Sequence, residues 1–254
     1  MKQLLVLLAL TLFTHADYKA LEGKYDFFQA RKACPKLGDG WRLPEIWELF
    51  PLRGQSSTYG LDRRYWSANA LGEARVVKMI RHENEFFVNS KDIPAFSFYL
   101  QDGDIGPTPK HILSHVICTN QTKHLPTDEG LSLEDEGVID HRNKIIWAPL
   151  TEQSRNLKED LASATAYCEN STLDDRSWRL PTIEELFSIV NYNYIKPSVN
   201  KAIWGEMKRK YYLTSSHFDE HMIFVVGFSI GSVATSSIHN QSYFRCVSDL
   251  EDDE

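Results

Sequence analysis

The chain has 254 residues, 42% of them hydrophobic and 12% aromatic, with a formal net charge of −7. That apolar share can furnish two modest cores, and there is no collagen-like or low-complexity tract. No dense basic stripe is present to grip a polyanion, which argues against a nucleic-acid partner. No segment stays apolar for the roughly 20 residues a membrane span needs, so no transmembrane anchor is expected.

The chain opens with "MKQLLVLLALTLFTHA": Lys2, an apolar run from Leu4 to Phe13, and small or polar residues ending at Ala16. These are the three parts of a secretory signal peptide, assigned to residues 1–16. A first domain is expected over residues 17–120. Its "YDFFQARKAC" places Phe27, Ala30, Arg31 and Cys34 on one helical face. "GWRLPEIWELF", Gly40–Phe50, reads as a helix start: Pro44 and Glu45 open the turn, and Ile46, Leu49 and Phe50 face the core. Trp41 precedes that helix as a buried anchor, and Arg42 is placed to bond backbone carbonyls or a carboxylate. The functional alternative is a sugar-stacking and anion-binding pair made by Trp and Arg. "YWSAN" (Tyr65–Asn69) is followed by a β-rich run, "ARVVKMI" (Ala74–Ile80). A long excursion, Asn84–Lys110, carries Phe86, Phe87, Phe96, Phe98 and Tyr99, more aromatics than one small core needs, so some are expected at the surface. Within it "QDGDIG", Gln101–Gly106, offers only Asp102 and Asp104, too few oxygens for calcium, and reads as a polar turn. "SHVIC" closes the domain at Cys118.

An acidic linker, residues 121–137, carries five acids and one Lys and is expected to be solvated and mobile. A second domain is expected over residues 138–249. "EDLASATAYC" sets Leu161, Ala164, Thr165 and Cys168 on one face. "SWRLPTIEELF", Ser177–Phe187, repeats Trp178, Arg179 and Pro181, with Thr182 and Glu185 spaced as a capping box. The insertion Asn191–Lys210 holds Trp204 and ends in Lys208, Arg209 and Lys210. "YLTSS" (Tyr212–Ser216) matches "YWSAN". "HFDEH", His217–His221, has the spacing of an inverted zinc-peptidase motif, but strand-like neighbours make it a hairpin loop and not a zinc helix. "MIFVVGFSI" follows, then the excursion Gly227–Gln241, the closing "SYFRC" at Cys246, and an acidic tail at residues 250–254. The linker carries −4 and the run from Asp249 to Glu254 carries −5, so the acidity belongs to the connecting segments.

The order helix, Cys, WRLP, helix, Tyr, strands, Cys therefore occurs twice, the mark of a tandem duplication. Four cysteines in an exported chain point to disulfides; no CxxC supports zinc, and no metal or cofactor is expected. Of the three possible pairings the duplication selects Cys34 with Cys118 and Cys168 with Cys246, each domain closing on itself.

The second half, "YC…WRLPTIEELFSIV…YLTSS…FVVGF…YFRCV", resembles the Lcl C-terminal domain family (domain of unknown function 1566). The first half is similar but more divergent, with Ile117 where the second has Arg245. The resemblance implies an α+β fold: two tandem C-type-lectin-like domains, each with two helices and a twisted antiparallel sheet closed by one disulfide. It also implies an exported protein of the periplasm or cell surface of a Gram-negative bacterium. The family's eponymous member is a collagen-like surface adhesin that binds sulfated glycans; no Gly-X-Y tract occurs here. The expected function is a non-catalytic binding module, adhesin-like or envelope-associated, for a glycan or protein ligand. Trp204, Lys208, Arg209 and Lys210 form the expected contact patch. The alternatives are an enzyme of the formylglycine-generating type, whose architecture is shared, or a structural component of an envelope or appendage.

Overall fold

The computed structural model describes residues 18–55, 63–70, 78–81, 84–87, 94–121, 128–135, 137–151, 154, 156–194 and 196–250. The expected signal peptide and residues 251–254 of the expected tail lie outside them. Among the described residues no helix is long and apolar enough to cross a membrane.

The first half begins with strand β1 (Tyr18–Ala20) and helix α1 (Phe27–Ala33). Asp26 caps α1: its carboxylate accepts the Gln29 N–H at 2.8 Å while the Gln29 side chain accepts the Asp26 N–H at 3.1 Å. Phe27, Ala30 and Cys34 are buried, and Arg31 is exposed. Helix α2 (Ile46–Leu49) runs into a 3-10 turn at Phe50–Leu52. Strands β2 (Arg64–Ala70), β3 (Lys78–Arg81), β4 (Asn84–Phe87), β5 (Ala95–Tyr99), β6 (Ile105–Thr108) and β7 (Ile117–Thr119) complete this half.

The second half adds strands β8 (Leu131–Glu134), β9 (Gly137–Asp140) and β10 (Ile145–Trp147), then helices α3 (Leu161–Glu169), α4 (Ile183–Ser188) and α5 (Lys201–Trp204). Strands β11 (Tyr211–His217), β12 (Met222–Gly227), β13 (Ser232–Ser237) and β14 (Val247–Asp249) follow. The fold is α+β, with small helices against antiparallel sheets. Disulfides Cys34–Cys118 and Cys168–Cys246 tie the helix of each half to the segment that ends it, as the cysteine order requires. Closing loops of such length stabilises a domain by about 4–5 kcal/mol in the chain-entropy account.

One six-stranded sheet, ordered β11-β12-β13-β6-β5-β2, crosses from one half to the other. Its order reads the same outward from the junction, where Val233 of β13 pairs with Ile105 of β6. Two modest separate cores were the expectation. Each half does keep a cluster around its disulfide, but a third cluster joins Leu49, Phe50, Phe96 and Phe98 to Phe187, Val226 and Phe228. Phe50 and Phe187 meet at 4.9 Å between ring centroids, and Tyr192 lies 4.7 Å from Phe96 and stacked on Trp47 at 6.2 Å. Tyr192 also donates its hydroxyl to the Gly231 carbonyl at 2.7 Å. Gly231, at φ +80°, has no room for a Cβ: one there would lie 2.6 Å from Val190 and 2.8 Å from the Tyr192 ring. Arg53 of the first half and Glu184 of the second form an ion pair over the seam.

The described part of "ARVVKMI" forms the strand β3, as its pattern implies, and pairs with β4, while β5 lies beside β2. A strand-like pattern fixes conformation but not partner. The excursion Asn84–Lys110 supplies β5 and β6, and Phe96 and Phe98, of the aromatics expected in part at the surface, are fully buried. Gly227–Gln241 supplies β13 in the same way. Part of the acidic linker is ordered: β8 and β9 form a hairpin, and the Asp128 carboxylate accepts from Asn200 at 2.7 Å. "HFDEH" is the β11–β12 hairpin loop and "QDGDIG" the β5–β6 turn, both as read from the sequence.

Asp140, at the end of β9, has no exposed surface. Burial pushes its carboxyl up, but hydrogen bonds from Arg142 and Asn143 prevail and hold it below the usual carboxylate range. A depressed folded pKa gives stability that is complete above the unfolded value of about 3.9 and is lost as pH falls through the folded value. Asp140→Asn is expected to flatten the acid limb of a stability–pH curve below about pH 4, measured by urea unfolding. Phe50→Ala is expected to cost about 3–5 kcal/mol and to lower one shared unfolding transition in calorimetry. Two separated transitions would show that the halves are not coupled.

Candidate functional site

The repeated phrase lies in matching frames in the two halves. Arg42 exchanges backbone hydrogen bonds with Thr119, and Arg179 with Val247, each partner one residue past the closing cysteine. The carbonyl of Pro44 accepts from Ala68 at 2.6 Å, and that of Pro181 from Ser215 at 2.8 Å. The first helical N–H, at Ile46, donates to Asn69 Oδ1 at 2.6 Å; its counterpart at Ile183 donates to Ser216 Oγ at 2.9 Å. The helix entry is therefore sewn to the neighbouring strand by its otherwise orphaned donors.

The arginines complete the frame. Arg42 places Nη1 and Nη2 on the two oxygens of Glu48 at 2.7 and 2.5 Å, and Glu48 Oε2 also accepts the Glu45 N–H at 2.7 Å. Arg179 does the same to Glu185 at 2.9 and 2.8 Å, and Glu185 Oε2 accepts the Thr182 N–H at 2.7 Å. Thr182 Oγ1 accepts the Glu185 N–H at 3.2 Å, completing the expected capping box. Arg179 adds Asp249 at 2.5 Å, and Arg42 adds the Gln121 carbonyl at 3.1 Å. Both guanidinium pKa values are raised, mainly by the hydrogen bond to the glutamate and against the cost of burial. Trp178 is buried and donates to the Leu173 carbonyl at 2.7 Å, while Trp41 is only partly buried against the first disulfide cluster. Trp41, Arg42, Pro44, Trp178, Arg179 and Pro181 are thus spent on building the fold. The glutamate partners of the arginines were the part the sequence reading missed; their signal was the equal spacing, Arg to Glu six residues on, in both phrases.

The expected contact patch divides. Trp204 is 1% exposed, at the end of α5, edge-on to Trp147 at 5.5 Å, and so is a core residue that cannot stack on an external ligand. Arg209 and Lys210 are exposed and Lys208 partly so; among the described residues no carboxylate lies within ion-pair distance of any of the three. The exposed aromatic beside them is Tyr211, 46% accessible at the start of β11 and packed over Gly227. Sequence reading passed over Tyr211 because a strand tyrosine and a core tyrosine look alike. The patch is held in place by main-chain bonds: the Lys208 N–H donates to Tyr212 Oη at 2.8 Å, and the Lys210 carbonyl accepts from Phe228 at 3.0 Å. Among the described residues no group of three or more His, Cys, Asp or Glu could hold a metal ion.

Fold and frame define a disulfide-closed α+β protein whose two halves share one antiparallel sheet. Residues 136–248 match the family model of the Lcl C-terminal domain. No curated protein gives a significant sequence match to the chain.

The Arg–Glu clamps give a stability test. Glu185→Gln keeps the shape but removes the charge facing Arg179, and is expected to cost about 1.5–3 kcal/mol in urea unfolding. Glu48→Gln is expected to cost more, because the Glu48 side chain is 5% exposed against 15% for Glu185.

Proposed function

We propose that the protein is an exported, non-catalytic binding module in which two C-type-lectin-like halves, the first a divergent copy of the Lcl C-terminal domain, are fused through one sheet. The observation that carries the functional reading is the surface at Lys208, Arg209, Lys210 and Tyr211: three cations without described acid partners beside an exposed aromatic ring. Such a surface suits an anionic glycan, with the ring stacking on a sugar face and the cations meeting sulfate or carboxylate. Export is supported by the two disulfides and by the N-terminal sequence pattern. The envelope of a Gram-negative bacterium is the setting the family resemblance suggests. The enzyme alternative requires a reduced, accessible cysteine, and all four cysteines are paired.

The test is binding of the purified chain, without residues 1–16, to sulfated and non-sulfated oligosaccharides. Charge reversal of Lys208, Arg209 and Lys210 together is expected to weaken sulfated-glycan binding by roughly tenfold or more, most strongly at low salt. Tyr211→Ala is expected to weaken it without changing the salt dependence. Unchanged binding in both variants would move the site elsewhere.

A further inference from the structure

One exposed surface of the first half has no counterpart in the second. At the start of α1, Phe28 is 55% exposed, while Phe27 beside it is buried. The turn between β6 and β7 runs along the same place. The Phe27 N–H donates to the Lys110 carbonyl at 2.9 Å, and Tyr25 and Ser114 exchange two main-chain hydrogen bonds. Within that turn His111, Ile112 and Leu113 are exposed in succession, between buried Lys110 and buried Ser114. Ile112 is 41% and Leu113 57% exposed, so the turn projects apolar side chains outward. Lys110 Nζ lies 5.7 Å from the centre of the Phe28 ring, which joins the turn to the helix through a cation.

Further cations flank these side chains. Arg31 and Lys32, three and four residues past Phe28, share its helical face and are exposed. Lys24 and Arg63 lie near His115 at the foot of the turn, where their charges add to burial in lowering its pKa. Among the described residues no carboxylate lies within ion-pair distance of Lys24, Arg31, Lys32, Arg63 or Lys110. Asp26, the acid nearest Phe28 in sequence, is committed to capping α1.

The same hydrogen bonds lay one half over the other. The Leu161 N–H donates to the Ile238 carbonyl at 3.1 Å as Phe27 does to Lys110, and Glu159 exchanges bonds with Ser242 as Tyr25 does with Ser114. In that register Phe28, Arg31 and Lys32 become Ala162, Thr165 and Ala166, while Ile112 and Leu113 become Asn240 and Gln241. Two separate elements thus change together from apolar and basic to small and polar, and the frame forms either way. The fold does not require Phe28, Ile112 or Leu113, and adjoining apolar side chains left in water mark a surface that something covers.

The flanking charge says what covers it. A second copy related by a two-fold axis would set these residues against themselves, and like charges facing across an interface are unfavourable. Protein partners are gripped mainly by Trp, Tyr and Arg in well-packed pockets. Here aliphatic and phenyl groups stand on a projecting turn and a helix flank, with cations around them. Apolar tips joined to basic residues suit an anionic lipid surface, where the acyl boundary receives the tips and lipid phosphates meet the cations.

We propose that this surface attaches the first half peripherally to an anionic lipid membrane. Phe28, Ile112 and Leu113 enter the headgroup region, and Lys24, Arg31 and Lys32 meet lipid phosphates. The attachment is independent of the glycan surface at Lys208–Tyr211, which lies in the other half.

The test is co-sedimentation of the chain lacking residues 1–16 with vesicles of phosphatidylcholine alone, or of phosphatidylcholine and phosphatidylglycerol in equal parts. Binding to the mixed vesicles that falls with added salt is expected, with little to phosphatidylcholine alone. Phe28→Ala with Ile112→Asn and Leu113→Gln, which installs the residues of the second half, is expected to keep the parent Tm and lower vesicle partitioning by about tenfold or more. Leu113→Asp alone is expected to lower it too, and serves if the triple variant fails to fold. Arg31→Thr with Lys32→Ala is expected to weaken binding and flatten its salt dependence. Leu113→Trp is expected to blue-shift the emission on mixed vesicles beyond the shift of the parent, a sign of entry into lipid. Tyr211→Ala is expected to leave vesicle binding unchanged, which separates this surface from the glycan patch. The proposal is overturned if neither vesicle binds, which would leave an acidic protein as the occupant. It is equally overturned if phosphatidylcholine alone binds as well as the mixture, or if the triple variant and Leu113→Asp bind as the parent does.

Discussion

A carboxylate that serves two masters underlies this architecture. Glu48 in the first half, and Glu185 in the second, each receive an arginine fork and the backbone N–H at the start of their own helix. The arginine in turn exchanges main-chain bonds with the residue just past the closing cysteine. Three parts that are distant in sequence, the WRLP turn, the helix behind it and the last strand, are thereby fixed around one side chain. A charged, bidentate arrangement is stronger and more directional than a neutral hydrogen bond. Glu48 is almost wholly removed from solvent, so the desolvation it suffers must be met by these partners together. The disulfide then locks the first helix onto the same frame.

Repetition of that frame leaves each half with an exposed edge at the third strand of its sheet, and the molecule deals with both edges by pairing them. The β13–β6 junction removes two unpaired edges at once and lets the aromatic faces behind them merge. Segments that differ between the halves contribute to the shared core. The phenylalanines of Asn84–Lys110 with described side chains pack at the seam, and the insertion Asn191–Lys210 contributes Tyr192 to the same contact.

The halves diverge where the frame is indifferent. Ile117 and Arg245 occupy the same place before the closing cysteine, one filling a core and the other carrying a charge past two indole rings.

The sequence by itself determined the local and covalent framework: the two WRLP helix starts, the Thr182–Glu185 capping box, the pairing of the four cysteines and the hairpin at "HFDEH". Each of these depends on neighbours within a few residues, or on a symmetry that repetition makes visible. Tertiary structure alone decided which strand lies beside β2, that the halves share a core, that Trp204 is inside and Tyr211 outside, and that Arg245 is buried without an acid. Burial is set by what the rest of the chain brings to each face, and an aromatic or basic residue reads the same in sequence whether a core or water lies against it.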